Sequence, residues 1–210
     1  TAALRWMQPA FNQCAEAQPG LGILLAELPA SALAPAPDGL SLRWGPAAQA
    51  DLPAYILGQD ELVVVAHPSN PLGSLTRAQF DLVFSGTARQ WSEIVSAADC
   101  PTCPVGDLNL WIYPNGMDTQ DALAALLPGG TRGGYAFLAP DPQRLRESIA
   151  ADPNAIGFLP RRWVNDSIKA LDLPEIPLES RTFPILALSA AEPQGAARAW
   201  LGCIQQSILP

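Results

Sequence analysis

Cations are scarce in this sequence. Lysine occurs once, at Lys169, histidine once, at His67, and 12 Lys and Arg face 20 Asp and Glu, for a formal charge of −8. Nucleic-acid phosphates and anionic lipid surfaces are bound by clustered lysine and arginine. The arginines are scattered, and Arg161-Arg162 is too short for such a patch, so both are excluded as general activities. Long apolar runs are missing too. Leu62-Val63-Val64-Val65-Ala66 is typical of the longest, against about 20 residues for a bilayer span, so no transmembrane helix is expected.

What is present is a globular composition: 210 residues, 49% apolar and 15% charged, enough to bury a core as one large domain or two small lobes. The 22 prolines and 16 glycines imply short elements joined by tight loops. The chain opens at Thr1 without methionine, which reads as a processed or trimmed product. Four cysteines allow three pairings. Cys100 and Cys103 lie three apart and Cys14 and Cys203 near opposite ends. Without a second CxxC or a nearby histidine, a zinc site is not expected. Disulfides Cys14–Cys203 and Cys100–Cys103 in an oxidising compartment are the favoured reading, with buried free thiols as the alternative.

Apolar spacing predicts a helix over 4–17, with Pro9 either kinking it or sitting near its first turn. A buried strand is expected over Leu21–Leu28, a helix or turn near Pro29–Leu33 and a strand over Leu40–Trp44. The strongest strand signal runs from Glu61 to His67. Thr76-Arg77-Ala78-Gln79 reads as a capping box opening a helix that Gly86 closes. Further elements are a helical turn at Trp91–Ile94, a strand at Asn109–Tyr113 and a helix over 119–127 capped by Thr119. A helix over 142–151, strands at Ala155–Leu159 and Phe183–Leu188, and a helix over Ala196–Leu209 follow. Strands and helices alternate, so the class is α/β with parallel pairing expected.

The chemistry is sparse. His67 and Ser69 could begin a triad on paper, but the GxSxG elbow is absent and the two side chains are expected to point apart. Asp60-Glu61 reads as a solvated strand entrance. No GxGxxG, P-loop or HExxH occurs, and no catalytic residue, metal site or cofactor is expected.

One ordered block does carry information. Leu62-Val63-Val64-Val65-Ala66-His67-Pro68-Ser69-Asn70-Pro71, Leu75-Thr76-Arg77-Ala78-Gln79-Phe80, Val83-Phe84-Ser85-Gly86-Thr87 and Trp91-Ser92-Glu93-Ile94 follow one another. This resembles a block of the phosphate-type extracytoplasmic solute-binding proteins of ABC transporters. Asp152-Pro153-Asn154-Ala155-Ile156-Gly157-Phe158-Leu159-Pro160 is similar to a later strand of that family. The resemblance implies a two-lobed, type II periplasmic-binding-protein fold, with a mainly parallel sheet in each lobe, two hinge crossings and an inter-lobe ligand cleft. Lobe one would be residues 1–68 plus 183–210, and lobe two residues 69–182. Cys14 and Cys203 would then share a lobe.

The same resemblance implies ligand contacts at Thr1 and Ala2, near Ser31, at Arg43 and Trp44, and along Asn115-Gly116-Met117-Asp118-Thr119. There Met117 removes a hydroxyl donor and Asp118 adds a negative charge. Two like charges at about 4 Å repel by several kcal/mol at intermediate dielectric, whereas a protonated phosphate could donate to the carboxylate. The implied function is a non-enzymatic extracytoplasmic receptor (periplasmic, secreted or lipid-anchored). It would bind a small polar or anionic solute and pass it to the membrane permease of an ABC importer. The alternative is the ligand-sensing effector domain of a regulator or receptor.

Overall fold

The computed structural model describes residues 2–18, 20–27, 39–45, 52–129 and 134–208. A 3-10 stretch, Ala2–Met7, leads into α1 (Gln8–Glu16), followed by β1 (Leu40–Trp44), β2 (Ala54–Ala66) and α2 (Arg77–Phe84). A 3-10 turn at Trp91–Glu93 precedes β3 (Asn109–Ile112), α3 (Asp118–Leu126), β4 (Phe137–Leu138), α4 (Pro142–Ala151) and β5 (Ala155–Pro160). The chain continues through a 3-10 turn at Arg161–Trp163 to β6 (Lys169–Leu171), α5 (Leu178–Arg181), β7 (Thr182–Ser189) and α6 (Gly195–Ile208). Two compact units result. Unit 1 comprises Thr1–Asp60, Gly116–Asp118 and Phe183–Pro210; unit 2 comprises Glu61–Asn115 and Thr119–Thr182.

In unit 1, β7 lies between β1 and β2, and β1 pairs with it antiparallel from Leu40↔Ser189 to Trp44↔Ile185. The helices α1 and α6 pack together. The Phe11 and Trp200 rings lie 5.5 Å apart, the Trp200 indole N–H donates to the Phe11 carbonyl at 3.1 Å, and the Cys14–Cys203 disulfide joins the pair. Pro9 sits in the first turn of α1, where its missing N–H costs nothing. The Cys100–Cys103 bond forms in unit 2, and no free cysteine remains among the described residues.

In unit 2, β5 is buried along its whole length between β2 and β3, with β4 beyond β3. Thr76 and Gln79 make the expected capping box: the Thr76 hydroxyl accepts from the Gln79 N–H at 3.2 Å and the Gln79 side-chain Oε1 from the Thr76 N–H at 2.8 Å. Phe80, Val83 and Phe84 turn inward from α2. Helix α4 starts at the Asp141 cap and lays Leu145 and Ile149 on β5. Gly157 permits this approach, since a Cβ there would stand 3.0 Å from the Trp111 carbonyl oxygen and 3.1 Å from Leu145.

Several expectations are corrected. Pairing is parallel for β3 with β4 and β5, but antiparallel for β1–β7, β2–β5 and β2–β6. Long crossovers permit parallel pairing without imposing it. The apolar run from Leu21 forms no strand over residues 21–27, and Leu24 is 95% exposed; strand composition is a weak, context-dependent preference. The strand signal at Glu61 belongs to a longer element beginning at Ala54. Asp60-Glu61 is not a solvated entrance: Asp60 is buried and Glu61 forms ion pairs with Arg161 and Arg181. His67 and Ser69 do not point apart. A turn closed by Asn70 N–H to the His67 carbonyl brings the Ser69 hydroxyl 2.7 Å from His67 Nδ1, while the Ser69 N–H also donates to that nitrogen. This is a local turn motif. The elements expected near Pro29–Leu33 lie outside the described residues.

Candidate functional site

The turn after β3 leads into the start of α3. Tyr113 ends the strand fully buried, edge-on to Phe158 with ring centroids 5.1 Å apart, and its hydroxyl donates to the Phe158 carbonyl at 3.3 Å. Burial pushes its phenol well above the usual range, so it serves as a neutral anchor. Gly116 then takes φ +83°, a conformation glycine adopts without Cβ strain, and the chain turns into α3. The helix begins at Asp118, one residue ahead of the expected start, so Thr119 lies inside its first turn and is not its cap.

Asp118 is 4% exposed and its carboxylate is fully engaged. Oδ1 accepts from the Arg43 guanidinium at 2.9 Å and Oδ2 from the Trp44 backbone N–H at 3.1 Å. The side chains of this ion pair are 8% and 1% exposed. Its members therefore neutralise each other, and Asp118 does not present the bare negative charge that its position in the sequence suggested. The carboxylate also complements the positive end of the helix dipole. Trp44 packs against Phe183 with rings 5.0 Å apart, which holds the end of β1 in place.

The next two side chains differ in kind. Thr119 and Gln120 are both buried. The Gln120 side-chain Oε1 accepts from the Tyr113 N–H at 3.1 Å, bracing the turn. The Thr119 hydroxyl and the Gln120 amide nitrogen have no hydrogen-bond partner among the described atoms. Buried polar atoms are nearly always paired, and an orphaned donor costs about 1–3 kcal/mol. Together with the first-turn N–H groups of α3, which have no intrahelical acceptor, they form a donor-rich end suited to an acceptor-rich group.

The other expected contacts are placed as follows. Thr1 and Ser31 lie outside the described residues. Ala2 is buried in the first 3-10 stretch, Asn115 is exposed, and Gly116 and Met117 are half-buried. Gln120 was missed; its signal was a long amide two residues after Asp118, within reach of the end of the preceding strand. Among the described residues no group of three or more His, Cys, Asp or Glu could hold a metal ion.

By sequence, no family model and no curated protein matches this chain. By structure, the chain is similar to a protein of Clostridium perfringens described as a phosphate ABC transporter substrate-binding protein with bound phosphate. The TM-score is 0.79 at 16% identity, covering 100% of this chain and 93% of that one. An ABC-type phosphate transport receptor of Vibrio cholerae gives 0.68 at 14% identity, covering 98% and 91%. The CcmR regulatory domain of Synechocystis in complex with 2-PG gives 0.66 at 15% identity, covering 100% and 94%. These likenesses establish the fold: the chain adopts the mixed α/β fold of type II periplasmic-binding proteins.

Proposed function

We propose that this protein is the extracytoplasmic substrate-binding protein of an ABC importer, and that it holds a small oxyanion or similarly acceptor-rich solute at the start of α3. The observation that carries the reading is the pair of buried, unpartnered donors, Thr119 Oγ1 and Gln120 Nε2, directly after a carboxylate whose charge Arg43 already cancels. In this reading Thr119, Gln120 and the first-turn N–H groups meet the solute. Arg43 and Trp44 are positioning residues that fix Asp118. Because the ion pair is neutral, attraction comes from oriented dipoles and hydrogen bonds, which suits a singly charged or protonated oxyanion better than a dianion.

The fold shared with two phosphate transport receptors supports the receptor role. Two closed disulfides support an oxidising, extracytoplasmic location. The partner would be a membrane permease. The second reading, a ligand-sensing domain of a regulator, has the CcmR regulatory domain in its favour at comparable similarity; the disulfides argue for the first.

A thermal-shift panel of phosphate, sulfate, molybdate, tungstate and organic solutes tests the site. A solute at 100 times its Kd stabilises by about 2.7 kcal/mol; no stabilisation by any member would overturn the proposal. Finding the protein in the envelope rather than the cytoplasm of its source would separate the two readings.

A further inference from the structure

Unit 2 holds a hydroxyl and an imidazole in contact just past the end of β2. Ala66, the last residue of that strand, is held between Ile156 and Lys169. His67-Pro68-Ser69-Asn70 then forms a turn, closed by the Asn70 N–H on the His67 carbonyl at 3.0 Å. Pro68 takes the second position, where its fixed φ pre-sets the bend. The Ser69 N–H, which such a turn does not itself use, donates to His67 Nδ1 at 3.1 Å.

That backbone bond decides the direction of a second one. A peptide N–H can only donate, so Nδ1 presents its lone pair and the ring proton sits on Nε2. The Ser69 hydroxyl, 2.7 Å from the same nitrogen, is therefore the donor, which is the sense in which a general base activates a serine. Ser69 is exposed and His67 half-buried, so the hydroxyl is open to a reagent while the ring is held. Two further donors adjoin the turn. Lys169, the only lysine of the chain, spends one N–H on the Asn70 carbonyl at 2.7 Å and has no ion-pair partner among the described residues. The buried Asn70 side-chain nitrogen has no hydrogen-bond partner among the described atoms.

We infer that Ser69 is a nucleophile, with His67 as its general base, and that it accepts acyl groups from small activated carboxylic esters. The bond from Oγ to the ester carbonyl carbon forms as the hydroxyl proton passes to Nδ1. The negative charge then rests on the former carbonyl oxygen, and the unpaired Lys169 ammonium offsets it. Collapse of this adduct breaks the bond to the leaving alcohol, which departs with the Nδ1 proton and leaves Ser69 as an ester. Water removes the acyl group by the same route: Nδ1 takes a proton from the attacking water and returns it to Oγ as the carboxylic acid leaves. Protonating Nδ1 sacrifices its bond from the Ser69 N–H, so turnover is slow and the acylated protein accumulates.

The test is incubation of the purified protein with p-nitrophenyl acetate, with phenolate release followed by absorbance and the acetyl group located by peptide mass spectrometry. Ser69 should be acetylated about 100-fold faster than Ser92 of the same molecule, which is also exposed but has no adjoining base; that is the gain a positioned base supplies. His67→Gln should slow acetylation of Ser69 by about 100-fold. Equal labelling of Ser69 and Ser92 would overturn the inference, as would an unchanged rate in His67→Gln. So would an acetyl group on Lys169 or the His67 ring with Ser69 unlabelled. The comparison of two serines in one molecule does not depend on a variant folding, and it involves no transported solute, so it stands or falls apart from the proposed binding role.

Discussion

Replacing Thr119 with valine should raise the stability of the solute-free protein while weakening solute binding. The two side chains share a shape, so the substitution exchanges a hydroxyl for a methyl at a site with no measurable exposure. The hydroxyl has no partner among the described atoms, so the solute-free protein loses an unsatisfied group and gains about 1 kcal/mol. For a chain of this length that is a Tm increase of about 2–4 °C. With solute bound, the lost bond is charge-assisted and worth about 1.5–3 kcal/mol, a 10- to 100-fold rise in Kd. Thermal melts without solute and calorimetric titration, with phosphate as the first probe, measure the two effects. Thr119→Ser, which keeps the hydroxyl, should bind within about threefold of the original. A Tm that falls by several degrees in Thr119→Val, or an unchanged affinity, would refute the reasoning by showing that the hydroxyl serves the fold.

Asp118→Asn removes the carboxylate from an ion pair whose side chains are 8% and 1% exposed; it should cost about 3–5 kcal/mol by denaturant titration. Removing Cys14–Cys203, which closes a loop of 189 residues, should cost up to about 5 kcal/mol. Removing Cys100–Cys103, separated by three, should cost about 2 kcal/mol, both from chain entropy and both read from urea midpoints. Arg5's hydrogen bond holds the Glu27 carboxyl below the usual carboxylate range. Its folded pKa is thus lowered, so its stabilisation is complete above the ordinary carboxylate value and fades as acid carries the pH down through the lowered one. Glu27→Gln should flatten that acid limb in a pH series of melts. Gly134→Ala should destabilise unit 2, since a Cβ there would stand 2.5 Å from the Gly86 carbonyl oxygen, a backbone clash worth about 1–3 kcal/mol; an unchanged Tm would contradict it.

Elements whose signals are local were legible in the sequence. The Thr76–Gln79 box, the Pro142 start of α4 and the spacing of Leu145 and Ile149 each encode their structure within a few residues, and all three form. Strand direction was not legible, because whether β2 meets β5 head to tail depends on partners a hundred residues away. Residues 21–27 show the same limit from the other side. Strand composition alone does not make a strand. At the site, Asp118 read as a repulsive charge because its neutralising partner, Arg43, is 75 positions distant. Gln120 escaped notice because its bond to Tyr113 becomes visible only once the turn at Gly116 is closed.

The most direct trial is an NMR titration of the purified protein with phosphate, followed by the other solutes of the panel, monitoring backbone and side-chain amides. Saturable shifts are expected at Asp118, Thr119 and the Gln120 side-chain amide, with Thr119→Val needing 10- to 100-fold more solute to reach them. Saturable binding that leaves all three signals unmoved would contradict it.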